Sequence, residues 1–599
     1  MFPDWWLDGW LQLRDTLPPE SPLLLIRWLL QGLTLALVVA LADLLAGAAV
    51  LHWARVRLPA RLRGAAMLAI GMGLSGTALF FYPHGWVGLL PGLLGLPLLR
   101  SSAGRWQVFG WWSALRPRGW VAWALVPVVL VSLPDLFLPV VEYDATMYHM
   151  VAARQYQDAG RVSFDAGVRF NSHPQLGVLL YARQQMLGGE DSLTKLVNLE
   201  WVAMILLAVM QMARRRGGDN RTRASVALLV LAGSPLFWHL AKIEYADLAL
   251  TAWLAVAVAL LEWRGVPPWV AGLALGFTAA SKMQGLLMAG LVGLIYLLLR
   301  RRVRPVVEMA AAAALVNLGW WVRSAMATGS PVYPFLSADG RSESAYLFEV
   351  SARYGVGHDV WHFLRLPWDL LTHSPFVFTD AFVFGPALLL VPLLLVVGWP
   401  RWLPLMSSAV YLVFWYTTGQ VGRYLVPVLP LLAMGLGAAP GGLAGRVVPV
   451  LLTAWAAFAG LSTLATVRFH ALPPVTFGQK TEYLRQTLPY ASAVIEINRV
   501  ARPSELTYLW FAEDARYYVR TRAEGDWFGT HSFGAATSLD RLREWGVRYI
   551  LIDRDRAAYN GRIYGEPFGA TALVKRFGPV PAGLTLIYDD ERYSVFRFD

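Results

Sequence analysis

The chain has 599 residues, of which 56% are hydrophobic and 15% charged, and its mean hydropathy is +0.45. A soluble core could not bury this much apolar surface, so the composition indicates an integral membrane protein. The formal net charge of +12 comes from arginine clusters between apolar stretches. That arrangement is typical of membrane-protein loops and argues against a nucleic-acid partner. The absence of cysteine excludes disulfides and thiol chemistry.

About fourteen apolar stretches approach the ~20 residues that cross ~30 Å of hydrocarbon. The first is too long, and its flank too acidic, for a cleaved signal peptide, so we expect it to be retained. The predicted spans are 23–50, 64–82, 86–99, 119–140, 193–212, 224–240, 246–263, 268–281, 284–299, 306–325, 381–398, 403–417, 424–439 and 447–466.

The arginine clusters predict the orientation of the chain. They lie at 55–63, 100–118, 214–223 and 300–304, in alternate loops, which the positive-inside rule places in the cytoplasm. The connections at 141–192, 241–246, 326–380 and 418–423, and both termini, then face the other side. The predicted location is the plasma membrane, the inner membrane of a bacterium.

The last 132 residues or so, 468–599, lack long apolar stretches and mix short strand-like and helical segments. Strands are predicted at 493–497, 547–553, 584–590 and 593–598, and a helix at 538–546. The predicted fold is therefore mainly α, a polytopic membrane protein with a small extracytoplasmic α/β domain at the C-terminus. We divide the chain into N-terminal spans at 1–118, a membrane core at 119–467 and the C-terminal domain at 468–599.

Acidic residues lie at the extracytoplasmic ends of two predicted spans. Glu142 and Asp144 precede a helix at 145–159, and a carboxylate there can act as a general base. The alternative for Asp144 is that it only caps that helix. Asp247 opens a later span, where it could orient an acceptor, hold a metal with Asp144, or merely complement the helix dipole.

Basic residues on the same predicted face depart from the positive-inside trend. Lys195, Lys242 and Lys282 lie at extracytoplasmic membrane edges, and Arg323 and Arg423 lie on the same face. An ammonium or guanidinium there can bind the phosphate of a lipid headgroup. The alternative for each residue is simple snorkelling to the interface.

Histidine and aromatic residues add candidates for substrate contact. His149 follows Asp144 on the same helix, and Tyr333 begins an aromatic-rich loop at 327–380 that could stack on a sugar. An interfacial aromatic belt is the alternative for that loop. His358 and His362 have chelating spacing but no third ligand in register, so we do not predict a zinc site. Nucleotide-binding loops and serine-hydrolase motifs are absent.

Five motifs in order make the sequence resemble the GT-C superfamily of polyprenyl-phosphate-sugar glycosyltransferases. Within the bacterial branch of this superfamily, the sequence looks like protein O-mannosyltransferases and lipid A aminoarabinose transferases. The match covers about 119–599. The motifs are EYDATMYH at 142–149, EYADLAL at 244–250, GLALGFTAASKMQG at 272–285, WWVRSAMATGSPVYPF at 320–335, and GRYLVPVLPLLA at 422–433.

The resemblance implies a lipid-linked sugar donor, inversion at the anomeric carbon, and a glycan, lipid or protein acceptor. By the same resemblance Asp144 is the catalytic carboxylate with Glu142 in support, and Lys282 and Arg423 meet the lipid phosphate. The E-x-D spacing departs from the adjacent acids of the family. This leaves open which carboxylate is the base and whether a divalent cation, Mg²⁺ or Mn²⁺, is needed. A transporter or flippase of lipid-linked sugars is the alternative function, and a scaffold without activity is a third.

Overall fold

A computed structural model describes most of the chain. The described residues are 22–111, 133–165, 168, 170–213, 227–333, 335–336, 354–378, 383–385, 388–389, 402–436, 450–456, 458, 473–525, 539–564 and 580–599. The predicted spans at 119–140, 381–398 and 447–466 lie largely outside these residues.

The first part of the structure is almost entirely helical. Its α-helices, with α7 and α13 the shortest, are α1 Pro22–Trp53, α2 Ala60–Phe81, α3 Ser102–Phe109, α4 Met150–Ala159, α5 Leu176–Gly188, α6 Asn198–Ala213, α7 Pro235–Leu240, α8 Ala246–Leu261, α9 Pro268–Ser281, α10 Met283–Arg300, α11 Val303–Thr328, α12 Val360–Thr372, α13 Ser374–Val377, α14 Trp402–Thr418 and α15 Val428–Leu436. Tighter 3₁₀ helices occupy Gly85–Arg100, Pro134–Phe137, Asp191–Val197 and Gly422–Leu425, and a π-helix occupies Ala145–His149.

Five helical stretches of the described residues are long and apolar enough to cross a membrane. They are Pro22–Trp53, Ala60–Phe81, Asp191–Ala213, Met283–Arg300 and Val303–Thr328. Shorter apolar helices include Ala246–Leu261 and Pro268–Ser281. The structure thus supports an integral membrane protein, and the number of about fourteen spans stays a prediction.

The predicted span at 86–99 is a 3₁₀ helix, Gly85–Arg100, with two internal prolines. A 3₁₀ helix rises ~2.0 Å per residue, so these 16 residues cover about 32 Å, more than an α-helix of equal length. Its glycines let it lie against α1: a Cβ on Gly95 would stand 2.2 Å from the Leu45 carbonyl oxygen. The backbone of this 3₁₀ helix therefore packs directly against the backbone of α1.

The N-terminal helices are part of the core. A Cβ on Gly71 of α2 would lie 1.8 Å from the Asp43 carbonyl oxygen of α1, so the two backbones touch. The Arg183 guanidinium of α5 contacts Asp43 at 2.9 Å and Glu200 of α6 at 3.5 Å, with all three side chains buried. Ser75 also donates to Asp43. These contacts tie α1 and α2 to α5 and α6.

Helix α8 lies at the centre of the helical part. It packs against α6 and α9, and nearly every residue from Ala246 to Leu260 is buried, which explains its apolar sequence on all sides. Its first turn carries Asp247, and the chain reverses at Lys282 between α9 and α10. Both residues therefore stand at the ends of buried helices, in positions that the packing fixes.

The C-terminal part is a five-stranded mixed sheet with helices. Its elements are α16 Phe477–Thr487, α17 Ala491–Val500, β1 Leu506–Trp510, a 3₁₀ helix Glu513–Tyr517, β2 Arg522–Gly525, α18 Leu539–Glu544, β3 Val547–Asp553, α19 Arg554–Tyr564, β4 Leu584–Asp589 and β5 Tyr593–Phe598. The strand order is β2-β1-β3-β5-β4. Strand β1 is parallel to β2 and β3, with Leu509 opposite Leu551, and β5 is antiparallel to β3 and β4.

The structure confirms three of the four predicted strands and the predicted helix of this part. The fourth strand, at 493–497, is wrong because those residues lie within helix α17. Ala493, Val494 and Ile497 are buried together, since their spacing puts them on one face of a helix. Strands β1 and β2 were not predicted. The first is buried throughout and lacks the alternation that identifies a half-exposed strand.

Candidate functional site

Two ion pairs form the centre of the site. The Arg423 guanidinium (Nη2) lies 2.6 Å from Asp144 Oδ2, and the Lys282 ammonium (Nζ) lies 2.9 and 3.0 Å from the two oxygens of Asp247. All four residues are among those predicted to do the chemistry. Asp144 lies in the connection before the π-helix Ala145–His149, where its backbone is already helical. The other three come from the first turn of α8, the α9–α10 junction and the 3₁₀ helix Gly422–Leu425.

Aromatic rings join the two pairs into one site. The Tyr424 ring centroid is 4.8 Å from the Lys282 Nζ and 5.6 Å from the Arg423 guanidinium carbon. The Tyr245 ring centroid lies 5.0 Å from the same guanidinium carbon. Both cations thus share the face of Tyr424, at distances typical of cation–π contacts.

Asp144 is held by neighbours on several elements. Its Oδ2 accepts hydrogen bonds from the Tyr148 hydroxyl at 2.8 Å and from Arg423. Its backbone N–H donates to the Tyr245 hydroxyl oxygen at 3.2 Å. The other oxygen, Oδ1, accepts no hydrogen bond from the residues that the structure describes, which leaves it available to a ligand.

The segment after Asp144 is a π-helix, Ala145–His149, that continues into α4 and ends at Gly160, whose φ of +61° suits glycine. The side chain of Asp144 makes no capping hydrogen bond to this helix. The alternative that Asp144 serves only as a helix cap is therefore wrong. Single-turn π-helices are frequent at functional sites because the extra residue redirects side chains.

His149 is a buried side chain with unused hydrogen-bonding groups. It is 5% exposed, packs against Tyr148 and Tyr245, and neither ring nitrogen finds a partner among the described residues. Burial lowers its pKa to about 3, with Lys282 and Arg423 adding to the effect against Asp144 and Asp247. The imidazole is therefore neutral at neutral pH, and offers one donor and one acceptor.

The electrostatics of the site keep Asp144 ionised. Burial raises its pKa, but Arg423, His149, the Tyr148 hydrogen bond and Lys282 lower it, and the balance leaves the pKa below its usual value. Arg423 is the largest of the lowering influences. The pKa of Asp144 therefore depends on whether Arg423 pairs with Asp144 or with a bound anion.

Glu142 and Lys242, also predicted for the site, have other neighbours. The Glu142 carbonyl oxygen accepts from the Thr146 backbone N–H at 2.9 Å and hydroxyl at 3.1 Å, so it helps to start the π-helix. The Lys242 ammonium contacts Asp135 at 2.9 Å. Lys242 is thus neutralised by a carboxylate from the 3₁₀ helix Pro134–Phe137.

Arg323 lies in a separate buried network. It donates to the Asn171 side-chain oxygen at 2.7 Å, the Ser163 carbonyl at 2.8 Å and the Tyr156 hydroxyl at 3.2 Å. These bonds fasten the segment after α4 to α11. Tyr333 is half-buried in the turn after α11. Among the described residues, the hydrogen bonds of Arg323 go to these three partners and not to Asp144.

The carboxylates of the site are engaged with cations, which does not favour a divalent metal between them. Asp144 and Asp247 each have a positive partner within 3 Å. Within the described ranges, no group of three or more His, Asp or Glu residues could hold a metal ion. His358 and His362 contact the Tyr416 carbonyl and Asp359, at 2.6 and 2.5 Å. The residues present thus do not fit the divalent cation that the sequence left open.

Three tyrosines of the site were not predicted from the sequence: Tyr148, Tyr245 and Tyr424. Each stands within four residues of a predicted charge, and Tyr148 follows Asp144 by one helical turn. That spacing was the available signal. It was missed because aromatic residues near membrane edges are common as interfacial anchors.

Comparison with solved structures identifies the fold. The crystal structure of ArnT from Cupriavidus metallidurans in the apo state matches with a TM-score of 0.51 and 14% identity, covering 80% of this chain and 97% of that one. ArnT bound to undecaprenyl phosphate matches with a TM-score of 0.49 and 16% identity, over 80% and 98% of the two chains. The apo oligosaccharyltransferase of Archaeoglobus fulgidus gives 0.37 and 12%, over 80% and 74%.

No family model matches the sequence, and no curated protein matches it. The likeness is therefore one of fold. ArnT is a lipid A aminoarabinose transferase of the GT-C type, so the predicted resemblance to that fold is confirmed.

Proposed function

We propose that this protein is a GT-C glycosyltransferase that moves a sugar from a polyprenyl-phosphate donor to a glycan, lipid or protein acceptor. The observation that carries the proposal is the juxtaposition of the Asp144–Arg423 and Asp247–Lys282 pairs around Tyr424. We place the site on the extracytoplasmic face of a bacterial inner membrane, from the arginine-rich loops on the opposite side.

The two cations are suited to the donor phosphate. Arg423 presents a planar guanidinium and Lys282 a compact ammonium beside one aromatic ring, a combination that can bind phosphate oxygens from two directions. In the structure each cation forms an ion pair with a carboxylate. A bound phosphate would compete for both cations, so the resting pairs keep the site charge-balanced until the donor enters.

Donor binding would also activate the base. When Arg423 turns to the phosphate, Asp144 loses its largest pKa-lowering partner while burial continues to raise the pKa. The carboxylate then becomes a stronger proton acceptor. Asp144 would therefore gain basicity when the donor is in place.

The transfer step follows from this arrangement. The acceptor hydroxyl or amine attacks the anomeric carbon and gives its proton to Asp144, through Oδ1. The bond between that carbon and the phosphate oxygen breaks, and its electron pair leaves with the phosphate. Lys282 and Arg423 stabilise the charge that develops on the leaving phosphate. Attack opposite to the leaving group inverts the anomeric configuration.

Asp247, His149 and Glu142 take supporting roles in this proposal. Asp247 orients Lys282 through both of its oxygens. The neutral imidazole of His149 offers a sugar hydroxyl its two ring nitrogens, neither of which has a hydrogen-bond partner among the described residues. Glu142 begins the helix that carries Tyr148 and His149.

A transfer assay tests the proposal. Polyprenyl-phosphate sugars are extracted from the native host's cell envelope together with its glycan, lipid and protein acceptors and are incubated with the purified protein. Free polyprenyl phosphate is then measured by mass spectrometry. We expect Asp144→Asn to slow release by about 10²–10⁴-fold. Asp135→Asn is the matched control, because Asp135 is another buried aspartate paired with a cation, Lys242. Full activity of Asp144→Asn would remove Asp144 from the base role.

The same assay separates the enzyme from a flippase. A transporter of lipid-linked sugars would move the donor across a proteoliposome membrane and leave the sugar–phosphate bond intact. Recovery of unchanged donor in the opposite leaflet, with no free polyprenyl phosphate, would support that alternative.

A further inference from the structure

We infer that the C-terminal domain positions the catalytic carboxylate, because its Glu513 and Arg556 bind the side chain of Tyr143, the residue directly before Asp144. This inference rests on the proposed role of Asp144 as the base. It makes Tyr143, Glu513 and Arg556 positioning residues, which act on the reaction through the loop that carries Asp144.

Tyr143 is bound by a hydrogen bond and a cation–π contact. The Tyr143 hydroxyl donates to Glu513, and the Arg556 guanidinium carbon lies 4.9 Å from the centre of the Tyr143 ring. Glu513 stands just after β1, and Arg556 stands in the first turn of α19, just after β3. Because β1 and β3 are parallel, their carboxyl ends meet at one edge of the sheet, and Tyr143 docks there.

Arg556 is rigidly held within the domain. It contacts the two Asp514 oxygens at 2.9 and 3.3 Å, the Phe511 carbonyl at 3.3 Å, and Asp553 at 3.6 Å. Because these contacts hold the Arg556 guanidinium on several sides, it cannot move with the ring of Tyr143. The sheet edge therefore acts as a fixed surface for the ring of Tyr143.

The loop that carries Asp144 needs such support. The π-helix that follows has no side-chain cap, and a misplacement of ~1 Å at a reacting group can cost about 10²-fold in rate. Tyr245 holds the Asp144 N–H from the membrane core at 3.2 Å, and Glu513 holds Tyr143 from the C-terminal domain. The peptide between Tyr143 and Asp144 is thus fixed from two sides.

The competing explanation is that these contacts only dock the domain. The chain offers a matched comparison, because Tyr517 belongs to the same 3₁₀ helix as Glu513 and also contacts the membrane part. Its hydroxyl accepts a hydrogen bond from Gln185 of α5 at 3.0 Å, and its ring centroid lies 4.3 Å from the guanidinium carbon of Arg154 in α4. Loss of this hydroxyl leaves the bond between Tyr143 and Glu513 in place. Docking alone predicts that loss of either tyrosine hydroxyl has the same effect.

The test uses the full-length purified protein and the variants Tyr143→Phe, Glu513→Met and Tyr517→Phe. Methionine matches the length of glutamate and removes the carboxylate acceptor. Hydrogen–deuterium exchange of peptides covering 142–149 reports the position of the loop without any need for activity. Release of polyprenyl phosphate from the extracted donor pool gives kcat and KM. We expect Tyr143→Phe and Glu513→Met to speed exchange and to lower kcat roughly 10-fold or more, with KM for the donor within about twofold.

Tyr517→Phe should leave both exchange and kcat within about twofold. The double variant Tyr143→Phe/Glu513→Met should be no slower than the worse single variant, because both remove the same bond. Unchanged exchange in both single variants, or an equal loss of kcat in Tyr517→Phe, would overturn the inference. If the wild-type protein releases no polyprenyl phosphate, the proposed function fails, and the exchange measurement alone still decides whether Glu513 fixes the loop.

Discussion

Asp144 and Arg423 are 279 residues apart in the sequence, yet their side chains form an ion pair of 2.6 Å. The pair joins the predicted base to the predicted phosphate ligand before any substrate is present. Arg423 is therefore placed to exchange a carboxylate for a phosphate, and the consequences of that exchange can be measured.

Arg423→Gln should weaken binding of undecaprenyl phosphate by about 10- to 100-fold, because a hydrogen bond to a charged group contributes ~1.5–3 kcal/mol. The Kd is measurable by titration of the purified protein with undecaprenyl phosphate. Arg323→Gln provides the contrast, since Arg323 bonds only to neutral oxygens of Tyr156, Ser163 and Asn171 among the described residues. We expect that variant to lower thermal stability and to leave the Kd within about twofold.

The pH dependence of kcat/KM should report the pKa of Asp144 in the free protein. That pKa lies below the ordinary 3.8, so Asp144 stays ionised, and kcat/KM should decline on its account only below that pH. In Arg423→Gln the largest lowering influence is lost, and the acidic limb should move to higher pH. Initial rates between pH 3 and 8 would show this shift. An unmoved limb in Arg423→Gln would contradict the assignment.

Arg183→Met should destabilise the fold strongly. It leaves Asp43 and Glu200 buried without their cation, and breaking a buried ion pair costs ~3–5 kcal/mol. Thermal unfolding followed by tryptophan fluorescence would measure the loss. Arg304→Met is the control, because the Arg304 side chain is 91% exposed and its pair with Glu308 contributes little. Equal stability of the two variants would show that the buried network does not hold the N-terminal helices.

The stability of the C-terminal domain should fall as the pH rises towards neutrality. Burial raises the pKa of Asp514 from 3.8 to about 6, although Arg556 opposes the shift. Between these values the folded domain keeps a proton that the unfolded chain releases. The group therefore lowers stability progressively as the pH rises through this range, by about 3 kcal/mol in all.

Asp514→Asn should flatten this dependence, because the amide cannot ionise, although the loss of the Arg556 contact lowers stability at every pH. The measurement is the midpoint of thermal unfolding between pH 4 and 7. Asp540→Asn is the control, since the Asp540 side chain is 84% exposed. A slope in Asp514→Asn as steep as in the wild type would assign the pH dependence to another group.

Composition and periodicity determined the class of the protein. Long apolar stretches require lipid around them, so the membrane helices could be located within a few residues, as for α2, α9 and α10. Charged residues at span edges are costly, which made Asp144, Asp247, Lys282 and Arg423 conspicuous in the sequence. The short strand-like segments at 547–553 and 593–598 were equally readable. Each of these signals is local in the chain.

Only the tertiary structure decided which charges meet. Lys242 and Lys282 look alike in sequence, but one pairs with Asp135 and the other with Asp247 beside Tyr424. Arg323 was an equal candidate to Arg423, and packing of α11 sends it into a separate network. The contact between Tyr143 and Glu513 spans 370 residues. Such pairings depend on how helices and sheet pack against one another, and no local pattern of residues encodes that arrangement.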